Sequence, residues 1–547
     1  MVLNRVLYIN VEPREKEDMK TRISLLSAVI SVALLAGCSE PQTTTKKEAT
    51  SQSQQQTVAL DEKIRTTAQQ TLKAFNIPGL AVVAVKDGKV ILAEGFGVRD
   101  IESQEPVTKN TLFGIASHTK AFTAAAIAHL VDQGKLDWDD KVTEYLPEFK
   151  LSDPELTHRL TIRDLLSHRS GLGLGAGDLM IWPNTDKSVD EIIAGLANVP
   201  MDHGFRTQFA YNNLMFLTAG ELIHQVTGIP YSDYIEQTFF EPLNMDESVV
   251  GFSNIPAAND NVAVGTIEKD GELHRFPLDF LEDFGGAGAT AASVDDMGNW
   301  LITQLQHGKS PSGEQVFSPE SQHQMWQLTT PIGVSDKAAE QGTFFQGYGL
   351  GWFVKDYHGV KQVYHSGGIL GMLSLTTLIP EENFGITVVS NQQAFGGLTA
   401  ITQEALEQVL NLPDQDWVAE QSENYRQFMQ RKTDFKIPKP DTEEDATLAK
   451  QAYAGTYTDA WYGDIDIRMQ GDELRLDFTH TPMLKGTLEH YNGDTFIVHW
   501  DEPLLEADAY VRFELNEDDS IKQATMKAVA PFTDFSFDFH NLTLVRQ

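Results

Sequence analysis

One cysteine in 547 residues rules out an intrachain disulfide. Basic residues are scarce: 42 Lys and Arg stand against 78 Asp and Glu, a formal net charge of -36. So acidic a surface repels nucleic-acid backbones, and no nucleic-acid partner is expected. His-Glu-x-x-His is absent, and the 15 histidines include no close His-x-His pair, so no metal and no other cofactor is expected. No Gly-x-Ser-x-Gly elbow occurs, which excludes the α/β-hydrolase plan. The glycine clusters Gly171–Gly177 and Gly285–Gly288 fit neither a dinucleotide fingerprint nor a phosphate loop, and read as cleft-edge loops. Apolar runs stay short of a bilayer span, since Ile23 to Leu34 holds only about a dozen residues. Composition is otherwise that of a globular protein, and the length calls for more than one domain.

The single cysteine, Cys38, stands in an informative place. Met19-Lys20-Thr21-Arg22 is a charged start, Ile23–Leu34 is an apolar stretch, and Leu35-Ala36-Gly37-Cys38 closes it. This resembles the bacterial lipoprotein signal, which implies cleavage before Cys38, lipidation of Cys38 and a membrane contact through that anchor. Ser39 after it implies an outer-membrane lipoprotein on the periplasmic face of the envelope. Residues 1–18 precede the better start at Met19 and are left out of the fold. Five segments follow: the signal over 1–38, a polar flexible tether over 39–58, a catalytic domain over 59–412, a helix and linker over 413–447, and a small barrel over 448–547.

Within the body, a helical pattern runs from Leu60 to Phe75. Gly79–Val85 and Val90–Gly95 flank Lys86-Asp87-Gly88-Lys89, a strong hairpin signal. Residues 118–134 and 214–227 read as helices. Strand-like runs return at Val363–His365, Leu373–Ile379 and Ile386–Ser390. Strands at both ends with helices between imply an α+β fold, with an antiparallel sheet shared by the terminal segments. From Ala452 onward, short alternating runs with Gly, Asp and Asn turns predict an all-β barrel.

Three motifs carry chemistry. Ser117-His118-Thr119-Lys120 opens a helix, and residues three apart share a face, so Lys120 can activate Ser117 as a nucleophile. Alone, Ser-x-x-Lys arises by chance about once or twice in such a chain. Tyr211-Asn212-Asn213 precedes an apolar helix; taken alone, it also reads as a buried tyrosine beside a capping Asn213. Tyr364-His365-Ser366-Gly367-Gly368 ends a strand run, where glycines let a ligand approach the backbone.

In this order and spacing the three motifs resemble those of the serine β-lactamase and penicillin-binding protein family, nearest its class C-like branch. Leu165-Leu166-Ser167-His168-Arg169-Ser170-Gly171-Leu172 and Tyr348-Gly349-Leu350-Gly351-Trp352 support the match over about residues 60–410. The resemblance implies a β-lactamase/transpeptidase-like antiparallel sheet flanked by helices, with an all-α insertion and a lipocalin-like barrel behind it. It assigns Ser117, Lys120 and Tyr211 to catalysis and the backbone N–H groups of Ser117 and Gly368 to the oxyanion hole. Asn213, His365 and Gly367 fall to substrate binding, with His365 facing the cleft and the side chain of Asn212 pointing away. Histidine where β-lactamases usually carry lysine is a weaker carboxylate anchor. It points toward peptidase and esterase relatives instead. The expected activity is cleavage of a peptide-like amide, amides with D-residues included. The alternatives are a carboxylester hydrolase and a non-catalytic binding or sensor lipoprotein. Specificity is expected in residues 173–205 and 255–345.

Overall fold

The computed structural model describes residues 45–277 and 281–547. Cys38 and the signal-like segment lie outside the described residues. Helix α1, Thr45–Ala74, begins inside the stretch expected to be a tether. Its Lys, Glu, Ala and Gln residues are good helix formers, and neither Gly nor Pro interrupts them, so the polarity that suggested disorder is also compatible with a helix. Among the described residues no helix is long and apolar enough to cross a membrane.

Strands β1, Gly79–Lys86, and β2, Lys89–Gly97, form the expected hairpin. Asp87 (φ 52°) and Gly88 (φ 72°) both take the left-handed conformation that a tight two-residue turn needs. The other strands of the sheet come some 230 residues later. They are β3 (Thr330–Ile332), β4 (Gln346–Tyr348), β5 (Phe353–Tyr357), β6 (Val360–Ile369), β7 (Met372–Ile379) and β8 (Phe384–Ser390). The sheet order is β2-β1-β8-β7-β6-β5-β4-β3. β1 lies antiparallel to β8, with Leu80 opposite Ser390 and Lys86 opposite Phe384. The two ends of the domain therefore share one sheet.

Both faces of β1 are buried, so its sequence is a continuous apolar run rather than an alternation. Leu80, Val82 and Ala84 pack with Ile64 and Ala68 of α1, and with α5 (Phe395–Leu410) and α6 (Trp417–Asp434). Ala81, Val83 and Val85 belong to the opposite core, with Met297, Trp300 and Leu301 of α4 (Val294–Leu305). That second core also holds the two helices that carry the site, α2 (Thr119–Asp132) and α3 (Asn213–Thr227). Trp300 stacks on Phe122 of α2 at 4.0 Å between ring centroids, which fixes α2 against α4.

The C-terminal domain is a closed eight-stranded barrel, in order β9 (Gly455–Asp459), β10 (Gly463–Gln470), β11 (Glu473–Phe478), β12 (Lys485–Asn492), β13 (Thr495–Trp500), β14 (Ala509–Leu515), β15 (Ile521–Ala528) and β16 (Thr543–Arg546). Alternate residues point inward, and Tyr453, Tyr457, Phe478, Phe496, Trp500, Phe513 and Phe539 fill the interior. The segment before it is pinned: Thr447 donates its N–H and its hydroxyl to Asp494, at 3.0 and 2.8 Å. The barrel docks on residues 176–195, where Trp182 meets Phe537 and Asp186 bonds His480.

Candidate active site

Ser117 stands in a single 3₁₀ turn, Ala116–His118, that runs directly into α2. Ala116 is held at φ 48°, an unfavourable value for a residue with a side chain. The neighbours impose this turn. Ile115 N–H donates to the Thr290 carbonyl at 3.0 Å, and the Ile115 carbonyl accepts from Ser374 Oγ at 2.8 Å. β6 lies hard against the turn, since a Cβ on Gly367 would sit 2.0 Å from the Ile115 carbonyl oxygen. Gly367 is thus required by packing inside the protein rather than by a ligand. The exposed residue beside it is Gly368, where a Cβ would meet only Leu373 Cδ2 at 3.3 Å.

Lys120 is fully buried, and its Nζ has three polar neighbours. Asn213 Oδ1 lies at 2.8 Å, the Ala287 carbonyl at 2.7 Å and Ser117 Oγ at 3.1 Å. The first two can only accept, so they take two N–H bonds of the amine. On a neutral amine the lone pair then remains for the Ser117 hydroxyl. Burial drives Lys120 well below its ordinary pKa, against a smaller opposing pull from Asp178. This arrangement can accept the proton of Ser117 as the oxygen becomes a nucleophile.

Tyr211 sits across the site, with its ring centroid 4.8 Å from Lys120 Nζ. Its hydroxyl is buried and lacks a full hydrogen-bond partner; Ser117 is the group it faces. Burial raises its pKa far above the ordinary phenol value, so it rests as a phenol. His168 holds the ring from behind at 4.1 Å and accepts the Asn212 N–H on Nδ1 at 3.1 Å. Asn212, between the two site residues, is the helix cap: its side chain accepts from Met215 N–H at 3.2 Å. Asn213, the residue that read alone as a cap, instead turns its amide to Lys120.

His365 is placed differently from the expectation that it faces the cleft. It is 1% exposed, and both ring nitrogens are engaged. Nδ1 lies 2.7 Å from the Ser366 carbonyl, an acceptor, so Nδ1 carries the proton and Nε2 accepts from Tyr348 Oη at 2.9 Å. Burial first, then Lys120 and His118, push its pKa well below the usual imidazole range. A neutral ring bonded at both ends has nothing left for a substrate, so His365 shapes the wall of the site instead.

Gly285–Gly288 is not a cleft-edge loop. It packs inside, since a Cβ on Gly286 would sit 2.6 Å from the Phe216 carbonyl oxygen of α3, and it supplies the Ala287 carbonyl to Lys120. Main-chain acceptors leave no trace in a motif, which is why sequence reading missed it. Gly175 and Gly177 receive the loop 531–541 of the barrel. A Cβ on Gly175 would meet Phe535 at 2.7 Å, and Gly177 N–H donates to Asp538 at 2.7 Å. Phe535 stands edge-on to the Tyr211 ring at 6.1 Å, so the barrel reaches the site.

A serine at the head of a buried helix, a lysine one turn on and a tyrosine opposite, on this sheet, define a serine hydrolase. The chain belongs to the beta-lactamase family, which matches residues 64–409. A domain of unknown function, DUF3471, matches residues 439–546. Unguisins hydrolase ungD of Aspergillus violaceofuscus (strain CBS 115571) is 27% identical over 78% of this chain and 81% of its own length. The fold is shared with the octameric penicillin-binding protein homologue from Pyrococcus abyssi, at a TM-score of 0.56 and 23% identity, over 89% of this chain and 99% of that one. It is shared also with the D-amino acid amidase from Ochrobactrum anthropi SV3, at a TM-score of 0.53 and 21% identity, over 67% and 99%.

Proposed function

We propose that this hydrolase cleaves a peptide-like amide, with D-amino-acid-containing amides as first candidates, through an acyl-enzyme on Ser117. The observation that carries the reading is a buried Lys120 amine 3.1 Å from Ser117 Oγ, with its other bonds already committed. Ser117 Oγ attacks the carbonyl while Lys120 takes its proton. Tyr211, a phenol at rest, passes a proton to the leaving amine and then takes one from the hydrolytic water, while Lys120 returns its proton to Ser117 Oγ as the acyl-enzyme is cleaved. The N–H groups of Ser117 and Gly368 receive the developing oxyanion, each worth roughly 3–4 kcal/mol. Asn213 orients Lys120 and the substrate.

Two facts favour an amide without a carboxylate beside β6. Neutral His365 stands where a fixed lysine cation would anchor one. The names of two similar proteins, an unguisins hydrolase and a D-amino acid amidase, point to hydrolysis and to amides. The test is a substrate panel on the form starting after Cys38, setting short acyl esters against D-aminoacyl anilides. Ester-only turnover would sink the amide reading in favour of a carboxylester hydrolase. Ser117→Ala should abolish turnover and fluorophosphonate labelling; retained activity would defeat the assignment. A catalytically silent wild type would leave a binding lipoprotein.

We further propose that the enzyme sits in a bacterial envelope, held by a lipid on Cys38, on the strength of the signal-like segment that ends at that cysteine. Cys38→Ala should move the full-length protein from the membrane fraction to the soluble one, and an unchanged distribution would remove the anchor.

A further inference from the structure

We propose that Asp178 is a positioning residue for Lys120, and that Ser536, delivered by the last loop of the C-terminal barrel, holds Asp178 in place. The inference rests on the reading of Lys120 as the base for Ser117.

A continuous chain of bonds joins the two domains at the nucleophile. Ser536 Oγ donates to Asp178 Oδ2 at 2.8 Å. Asn213 Nδ2 donates to the same oxygen at 2.8 Å, and Asn213 Oδ1 accepts from Lys120 Nζ at 2.8 Å. Ser536 is buried, Asn213 is partly buried, and Asp178 and Lys120 are fully buried. The other carboxylate oxygen, Asp178 Oδ1, is buried without a partner. A carboxylate so poorly satisfied is costly to keep inside a protein, which is a reason to look for its use.

The chemistry of the amide supplies that use. A side-chain amide can present either end, and only one end of Asn213 serves Lys120. An ionised carboxylate accepts and cannot donate, so Asp178 draws the NH2 end of Asn213 to itself and leaves the carbonyl end for Lys120. One N–H of Lys120 is thereby aimed away from Ser117, as the Ala287 carbonyl does for the second. Asp178 also acts through its charge: ionised, it favours the ammonium form of Lys120. It thus couples the geometry of the base to its proton affinity.

The loop of the barrel is built for this contact. Gly177 N–H donates to Asp538 Oδ2 at 2.7 Å, which seats the loop one residue from Asp178. Asp538 is in turn bonded by Asn541 Nδ2 at 2.9 Å. The titratable groups facing the Asp178–Lys120 pair are Tyr211, His168 and His365 from the catalytic body, and Asp534 and Asp538 from the barrel loop, with Asp202 near Asp538. Burial keeps both histidines neutral and Tyr211 protonated, so none of these three changes charge on the acid side of neutrality. Burial and the charge of Asp178 favour the neutral form of Asp538.

The experiment measures the second-order rate of Ser117 phosphonylation by a fluorophosphonate, with fluoride leaving, against pH, by intact-mass spectrometry, on the complete mature chain. The substrate need not be known. In Asp178→Asn the amide can still accept from Asn213 but carries no charge. Its acid limb should move to lower pH by ~0.5 unit or more, with the maximal rate within about tenfold of wild type. Asp178→Ala removes the acceptor as well, and its maximal rate should fall by about 30-fold or more. Ser536→Ala makes Asp178 harder to ionise, so its limb should shift in the same direction by less. An acid limb unmoved in both Asp178→Asn and Ser536→Ala overturns the proposal. So does an Asp178→Ala variant that reacts as fast as Asp178→Asn. A wild type that never labels would sink the Ser117 reading itself, and the two failures are therefore distinguishable.

Discussion

Lys120 owes its behaviour to its own full burial and to the company of its Nζ, two obligate acceptors and one hydroxyl. Lys120→Arg keeps a long cation but cannot give up its proton. Its phosphonylation rate should fall by roughly 10²–10⁴-fold at every pH between 6 and 9, read by the same mass assay. Asp178 makes the opposite kind of claim, on stability. Burial, the largest influence, raises its carboxyl from 3.8 to about 7, so its contribution to stability is fully present below about 3.8 and is lost as pH rises through about 7. Asp178→Asn should therefore be more stable than wild type at pH 8 by on the order of a few kcal/mol, and melt at a higher temperature, with the gap closing toward pH 4. Thermal melts at the two pH values check this, and a gap of equal size at both would contradict it. Ser117, Lys120, Tyr211 and Asn213 were legible because each occupies a fixed offset within a short motif. Asp178 was not, because its partners lie 35 and 358 residues away along the chain. His365 was legible as a member of the site but not in its direction, since Tyr348 and the Ser366 carbonyl claim it only once β4 and β6 share a sheet.

The turn carrying Ser117 is held by strands rather than by its own sequence. Gly367 and Gly368 are adjacent on β6 and look equivalent in the motif, yet the structure separates them. Gly367→Ala would drive a Cβ into the Ile115 carbonyl oxygen, a backbone atom that cannot step aside. This variant should lose acylation by about 100-fold or more, since ångström-scale misplacement of a nucleophile costs that much. Gly368→Ala meets only the end of a leucine side chain, so it should fold with an unchanged circular dichroism spectrum and label with fluorophosphonate, while binding larger substrates less well. Helices were readable from their apolar spacing, and the Asp87-Gly88 hairpin from its turn residues. Helix α1 was half readable, because its first turns are polar and carry no apolar stripe to announce them.

Across the whole molecule, the catalytic core and the barrel interior form one connected apolar body, joined through Met180, Trp182, Phe284 and Phe537. Unfolding of residues 59–547 should accordingly give one calorimetric transition rather than two; two resolved transitions would show that the interface is weaker than its packing suggests. The α+β plan and the barrel were legible as separate modules, whereas their union was not, since no sequence period records which surface a loop will meet. The closure of the main sheet bears on how the chain is made. The hairpin β1–β2 cannot acquire its neighbour β8 until about 300 more residues have left the ribosome. At about 5–20 residues per second that is a wait of roughly 15–60 s, during which β1, a nearly continuous apolar strand, has an unpaired edge. A chain of this design stays unfinished, and in need of a chaperone's cover, through most of its own synthesis.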